Sequence, residues 1–395
     1  MTVERQLEAL VAAGLERSIE DTVPCGSGKV ICNGEEFVDL CSNDYLGLAI
    51  EPLLGSQLSQ RALSLGVGSR AARLLSGSRP LASHLERRFA QMVGKEGSLL
   101  FNSGYHANLG ILSAITEPGS MVFSDSLNHA SIVDGCRLAP ATVATYPHCD
   151  LDGLEAQLTA AVADGRWQPD KVNVVVTEGI FSMDGDRPDF ERLVALKNRF
   201  GFLLYVDEAH GFATTGRSGL GACDAFVGQV DVYLATFGKA AGVYGAAVAA
   251  SESILRLLRS RARPFIFSTA LPPALVATLA TAVELLEGPR GRELRLRLAD
   301  NVLYFRSALV RHGVPVGEKV SHIIPVVIGD ETMALGAARA LRHEGVFCRA
   351  IRYPTVGLGE ARLRFSLSAI HQRPDLSHAA TAVARTYRQL KRDSA

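Results

Sequence analysis

From residue 98 to about residue 250 the chain alternates short, nearly continuous apolar runs with segments of helical spacing. The runs at 98–101, 120–124, 172–177, 202–207 and 230–235 are largely aliphatic and rich in valine and leucine, and Gly245-Ala246-Ala247-Val248 adds another. A strand that is apolar on both sides must be covered on both sides, and helices between such strands return the chain to begin the next one in parallel. The pattern predicts an α/β domain built on a parallel sheet. Sheets of that kind bind ligands beyond the carboxyl ends of their strands. Here those ends read Asn102-Ser103-Gly104-Tyr105-His106, Asp125-Ser126-Leu127-Asn128-His129, Glu178 through Asp184, Asp207-Glu208-Ala209-His210, and Thr236-Phe237-Gly238-Lys239. Turn chemistry accounts for any one cluster; their succession at equivalent positions predicts a site.

Lys239 lies among small and apolar residues, in the turn between two predicted strands. Removal from water disfavours the ammonium form, lowers the pKa and frees an amine that can form a Schiff base with an aldehyde. The natural partner is pyridoxal 5′-phosphate (PLP), a cofactor with definite needs. Its pyridine nitrogen needs a carboxylate to hold a proton, and Asp207 ends a buried run. Its phosphate needs backbone N–H groups at a helix start, plus a hydroxyl. Gly104, Tyr105 and Thr236 supply these. His129 can stack on the ring, and His210 comes within reach of the O3′ side. No metal is expected.

The remaining chain surrounds this domain. Leu7, Leu10, Val11 and Leu15 predict an amphipathic helix over residues 3–20, and Asn33-Gly34 between two strand-like runs predicts a hairpin over 29–40. Beyond residue 272, helical segments at 274–286 and 292–312 lead to a strand at 323–328, a helix at 332–344 and an alternating, antiparallel-type strand at 362–367. The expected organisation is an N-terminal helix and hairpin segment (1–45), a large PLP-binding α/β domain (46–272) and a smaller α+β domain (273–395). Gly26-Ser27-Gly28-Lys29 imitates a P-loop without a preceding strand, and Gly66-Val67-Gly68-Ser69-Arg70-Ala71 imitates a dinucleotide loop after a helical stretch. Neither stands in the context its motif requires. Lys plus Arg and Asp plus Glu both total 41, which argues against a nucleic-acid footprint or a polybasic membrane patch. Seven cysteines with no CxxC pair fit a reduced, cytoplasmic protein. No signal peptide is legible, and no apolar run approaches the ~18 residues that span a bilayer.

Thr177-Glu178-Gly179-Ile180-Phe181-Ser182-Met183-Asp184-Gly185-Asp186, Val206-Asp207-Glu208-Ala209-His210-Gly211 and Thr236-Phe237-Gly238-Lys239 together resemble the α-oxoamine synthase family. The resemblance runs from about Arg17 to the C-terminus. It includes Ser42-Asn43-Asp44-Tyr45-Leu46-Gly47-Leu48, Ser76-Gly77-Ser78-Arg79, Leu127-Asn128-His129-Ala130-Ser131 and Ser268-Thr269-Ala270-Leu271-Pro272-Pro273. It implies a PLP-dependent, fold-type I (aminotransferase-like) enzyme with a mostly parallel seven-stranded sheet and a smaller α+β C-terminal domain. The implied reaction is decarboxylative condensation of an amino acid with an acyl thioester, in a homodimer with shared active sites.

The same resemblance implies catalytic roles for Lys239, His129, Asp207 and His210. Lys239 would bear the Schiff base and then take the Cα proton, and His210 would assist decarboxylation. Ser182 joins His210 on the O3′ side, and Thr269 would reach a phosphate across the dimer interface. Ala350-Ile351-Arg352-Tyr353-Pro354-Thr355-Val356 and Ala361-Arg362-Leu363-Arg364 resemble most the branch that joins L-alanine to a pimeloyl thioester, on coenzyme A or a carrier protein, in biotin biosynthesis. Glycine or serine with a different acyl-CoA is the alternative. The likeness implies Arg352 for the amino-acid carboxylate, Thr355 and Asn43 in the substrate site, and Arg17, on the N-terminal helix, at the acyl chain's distal end. Tyr244 and Tyr353 depart from that branch, which often has a small residue and a proline there. A cofactor-free binding protein and a dinucleotide-dependent oxidoreductase are the readings from other classes. Intact Lys239, Asp207 and His210 argue against the first, and the misplaced Gly66 loop against the second.

Overall fold

Strands Val174–Glu178, Leu203–Asp207 and Val232–Thr236 lie side by side at the centre of a seven-stranded sheet. In this computed structural model, which describes residues 2–12 and 15–393, the sheet order is Gly97–Phe101, Ala246–Ala250, Val232–Thr236, Leu203–Asp207, Val174–Glu178, Met121–Asp125, Thr142–Tyr146. Leu203–Asp207 runs parallel to both neighbours, as does Met121–Asp125. Ala246–Ala250 is antiparallel to both of its own. This is the mostly parallel seven-stranded sheet that the family resemblance implies.

Local chemistry explains the elements. Val174, Val176, Val206, Val232 and Leu234 are wholly buried, and β-branched or aliphatic side chains suit strands covered on both faces. Full burial of each such side chain contributes about 1.5–3 kcal/mol. Helix Gly104–Ile115 starts at Ser103, whose Oγ accepts from the His106 N–H at 3.2 Å. Helix Phe190–Phe200 starts at Asp189, which accepts from the Arg192 N–H at 3.1 Å, and ends at Gly201 with φ 77°. The strand of the large sheet missed in the sequence is Thr142–Tyr146: it lies at the sheet edge and buries only Tyr146, so it shows no continuous apolar run.

The chain divides into two compact units, residues 43–299 and residues 1–42 with 300–395. The first holds the seven-stranded sheet. It also takes in helix Pro273–Glu287, which buries Leu279, Ala282, Val283 and Leu286, so residues 273–299 group with the large unit. In the second unit, Val346–Phe347 pairs parallel with Glu35–Asp39 and so draws the N-terminal hairpin into the unit of the C-terminal residues. A three-stranded antiparallel sheet, Ile323–Gly329, Ala361–Ser366 and Ala350–Ile351, completes it. The first helix covers Val3–Ala12 and buries no residue. Residues 13 and 14 lie outside the described residues, and Arg17 sits in irregular chain rather than on the helix. Polar pairing replaces helical continuation there: Arg17 Nη2 donates to Thr355 Oγ1 at 3.3 Å, and Glu20 accepts from Arg342 and Arg349, each at 2.7 Å.

Candidate active site

The carboxyl edge of the large sheet opens into a cleft of about 600 Å³. Register brings its acids together: Glu178 and Asp207 are direct neighbours across a parallel ladder. Lys239 lies in the connection between Val232–Thr236 and Ala246–Ala250, which are antiparallel, so the turn crosses that same edge. The Gly242 N–H donates to the Lys239 carbonyl at 2.9 Å and Val243 N–H to Phe237 O at 2.9 Å. Gly242 has φ 68°, and a Cβ there would collide with the backbone of Leu48 and Ala49. Only glycine lets the lysine turn lie this close to the segment after Asn43. Lys239 is half-buried, so cleft walls rather than full burial limit its hydration.

Lys239, Asp207, His129, His210, Gly104, Tyr105 and Thr236 all line this one cleft. Asp207 is buried; its Oδ2 accepts from Asn108 Nδ2 at 2.8 Å and its Oδ1 from the Ala209 N–H at 2.9 Å. His129 caps helix Ala130–Leu138, with its Nδ1 accepting from the Ser131 N–H at 3.2 Å. Burial holds the His129 imidazolium below its usual pKa despite the nearby Asp207, so the ring is neutral at physiological pH. Its backbone N–H donates to Glu178 Oε1 at 2.6 Å. Burial, reinforced by Asp207, pushes the Glu178 carboxyl well above the ordinary range. His210 Nδ1 lies 2.7 Å from Tyr45 Oη, which also hydrogen-bonds Asn43 Oδ1 at 3.0 Å. Gly104 opens its helix where a Cβ would stand 2.5 Å from Thr236 Cγ2. The first N–H groups of a helix have no intrahelical acceptor, and with the helix dipole they form an anion site.

Other predicted residues lie elsewhere. Ser182 occupies the turn after Val174–Glu178 and is not in the cleft lining. Thr269 borders a separate cavity with Asn102 and Arg73, and its carbonyl accepts from Asn102 Nδ2 at 3.0 Å. Arg17, Arg352 and Thr355 line one cleft of the smaller unit, where Arg352 Nη2 donates to Glu16 O at 3.0 Å. Tyr244 lines the lysine cleft itself. The sequence reading gave no role to Asn108, Ser131 and Tyr45, although the last two stand in stretches that carry the resemblance. Asn108 is inside a helix, away from any strand end, and its only signal is its position one turn after Gly104.

The cleft offers an amine, a carboxylate held by two donors, a flat neutral imidazole and a helix start with no Cβ in the way. That set fits PLP. The model of the family described as aminotransferase class I and II matches residues 35–383. The chain is 43% identical over 391 residues to 8-amino-7-oxononanoate synthase of Geobacter sulfurreducens, covering 98% of each. Identity is 46% over 368 residues with 8-amino-7-oxononanoate synthase of an Anaeromyxobacter species, covering 93% of this chain and 90% of that one. Among solved structures, serine palmitoyltransferase from S. paucimobilis with a bound PLP–myriocin aldimine superposes with a TM-score of 0.90 at 27% identity, covering 98% of this chain and 97% of that one.

Proposed function

The chain belongs to the class I and II aminotransferase family, and on that premise we propose that it is a PLP-dependent acyltransferase that joins L-alanine to a pimeloyl thioester. The products are 8-amino-7-oxononanoate, carbon dioxide and the free thiol carrier, a step of biotin biosynthesis. The observation that carries the chemistry is the convergence of Lys239, Asp207 and His129 in one cleft. Relatives at 43% and 46% identity narrow the substrates, and outweigh a serine palmitoyltransferase neighbour at 27%.

Bound in the cleft, PLP supplies an electron sink for the electrons released at the substrate's Cα. Lys239 Nζ would hold the cofactor's aldehyde carbon and would move the proton at the substrate's Cα. Asp207, an acceptor with two donors already engaged, holds the proton at the ring nitrogen. His129 offers an uncharged flat face. The N–H groups of Gly104 and Tyr105 and the Thr236 hydroxyl bind the phosphate. His210, tied to Tyr45, and Ser182 attend the O3′ side. Arg352 receives the amino-acid carboxylate, the planar guanidinium suiting a bidentate pair, while Thr355 and Asn43 line the substrate site and Arg17, beside Thr355, meets the distal carboxylate of pimelate.

A homodimer is part of the proposal. Leu63, Val67, Leu75 and Phe267 are 92%, 81%, 80% and 70% exposed. The two segments carrying them adjoin, since Ala72 bridges Thr269. A second copy would cover these side chains, and Thr269 would then serve the neighbour's cofactor.

Competition assays test the substrate assignment. Alanine with pimeloyl-CoA should turn over faster than glycine with acetyl-CoA or serine with palmitoyl-CoA; the reverse order would leave only the family chemistry. Arg17→Ala should weaken use of free-acid pimeloyl donors by roughly tenfold or more, since a charge-assisted hydrogen bond is worth ~1.5–3 kcal/mol.

A further inference from the structure

Lining the floor of the cleft is a hydrogen-bond network of Asn108, Ser131, His129 and Asp207, backed by Tyr205. The Tyr205 hydroxyl donates to Asn108 Oδ1. Asn108 Nδ2 has two hydrogens and two acceptors: Asp207 Oδ2 at 2.8 Å and Ser131 Oγ at 2.9 Å. The opposite amide orientation would set a carbonyl oxygen against a carboxylate and leave Tyr205 facing an NH₂ group, so it is excluded. Ser131 Oγ, accepting from Asn108, keeps a hydrogen to give to His129 Nδ1, 2.7 Å away. Ser131 N–H also donates to that nitrogen, at 3.2 Å. His129 Nδ1 is therefore an acceptor, and the ring proton sits on Nε2. Asn108 and Ser131 are each 1% exposed and Tyr205 is wholly buried, so water does not compete for these bonds. Burial keeps the Tyr205 phenol protonated well above its ordinary range, and so a donor.

We propose that Asn108 is a positioning residue of the cofactor site: its amide sets the Asp207 carboxylate and, through Ser131, the tautomer and tilt of the His129 ring. One side chain thereby couples the group that holds the ring nitrogen's proton to the group that covers the ring's face. Asn108 follows Gly104 by four residues, so both lie on one face of helix Gly104–Ile115. The first turn of that helix meets the phosphate and the second orients the partners of the ring. Of the three donors the Asp207 carboxylate then has, Asn108 and Ala209 are permanent and the cofactor supplies the last. This rests on the PLP reading of the cleft, and the test below separates the two.

The first readout needs no cofactor: nitrogen-15 NMR of histidine-labelled protein free of PLP, with the His129 signals identified by their loss in His129→Gln. The wild type should show a single tautomer protonated on Nε2. Asn108→Ala and Ser131→Ala should each give a mixture of tautomers. The second readout is equilibrium dialysis with PLP. Asn108→Ala should raise the dissociation constant about tenfold, equivalent to roughly 1.4 kcal/mol. Ser131→Ala should raise it less, because Asp207 keeps its Asn108 donor. Tyr205→Phe frees the amide to turn and should fall between them. Unchanged His129 signals in Asn108→Ala overturn the proposal; should that variant not fold, unchanged signals in Ser131→Ala overturn it equally. A role confined to packing would lower thermal stability in these variants and leave the tautomer alone. Failure of wild-type protein to bind PLP would refute the cofactor reading and leave the tautomer result standing.

Discussion

At the scale of single residues, buried Glu208 and half-buried His148, neither in the lining of the lysine cleft, shape pH dependence. Glu208 follows Asp207 but turns away from its work: its Oε1 accepts from the Cys223 N–H at 2.7 Å, and a Cβ at Gly179, Gly211 or Gly221 would collide with its carboxyl. Burial pushes its pKa from 4.5 up to about 7, against the lowering effect of the Cys223 N–H. With the folded value above the unfolded one, its contribution to stability is complete below about 4.5 and is lost as pH rises through about 7. Glu208→Gln should remove that loss, so its thermal midpoint relative to wild type should climb between pH 5 and 8; a constant offset would refute this. His148 is clamped between Asp125 at 2.9 Å and Asp186 at 3.0 Å. Burial by itself would lower its pKa, but these hydrogen bonds outweigh burial and push it from 6.5 to about 12. Its stabilisation is complete below about 6.5 and is lost as pH rises through about 12. His148→Gln should therefore destabilise most near pH 6, and urea unfolding should find the difference shrinking steadily toward alkaline pH.

Elements position what residues supply. Parallel strands deliver Glu178 and Asp207 side by side, and the antiparallel Ala246–Ala250 strand makes the lysine turn cross the same edge. The turn depends on Gly242. Gly242→Ala meets both φ 68° and the Leu48–Ala49 backbone, and should cost more than ~1 kcal/mol. Because the strain falls on the Lys239 turn, PLP affinity should drop along with the thermal midpoint. A variant of wild-type affinity would mean that the turn relaxes without moving the lysine.

On the scale of the whole molecule, exposed apolar residues are the strongest clue to assembly. Phe267, 70% exposed, stands two residues from Thr269. Stable homodimers usually bury on the order of 2,000 Å² or more with an apolar centre. Sedimentation should find a dimer for the wild type, and Phe267→Asp should shift it toward monomer with activity falling in parallel. An active monomer would remove the shared-site part of the proposal. Among the described residues, no helix is long and apolar enough to cross a membrane.

Fold class and the centre of the site were legible in the chain because both are written in local order. Apolar runs specify strands, the rule of ligand binding at carboxyl ends gathers their last residues, and Lys239, Asp207, His129 and His210 are each such residues or close followers. Signals that depend on chain-distant pairing were not legible. Nothing near residue 38 announces its pairing with residue 346, so the hairpin read as a separate segment. The helix read from the N-terminal amphipathic pattern took in Arg17 and Glu20, which instead find partners more than 300 positions away. Asn108 reads as an ordinary polar residue inside a helix; only the tertiary structure brings its amide between Tyr205, Asp207 and Ser131. Local sequence sets which backbone forms and which chemistry each strand end carries. The direction of a hydrogen-bond network is decided only when buried groups from distant segments, cut off from water, must satisfy one another.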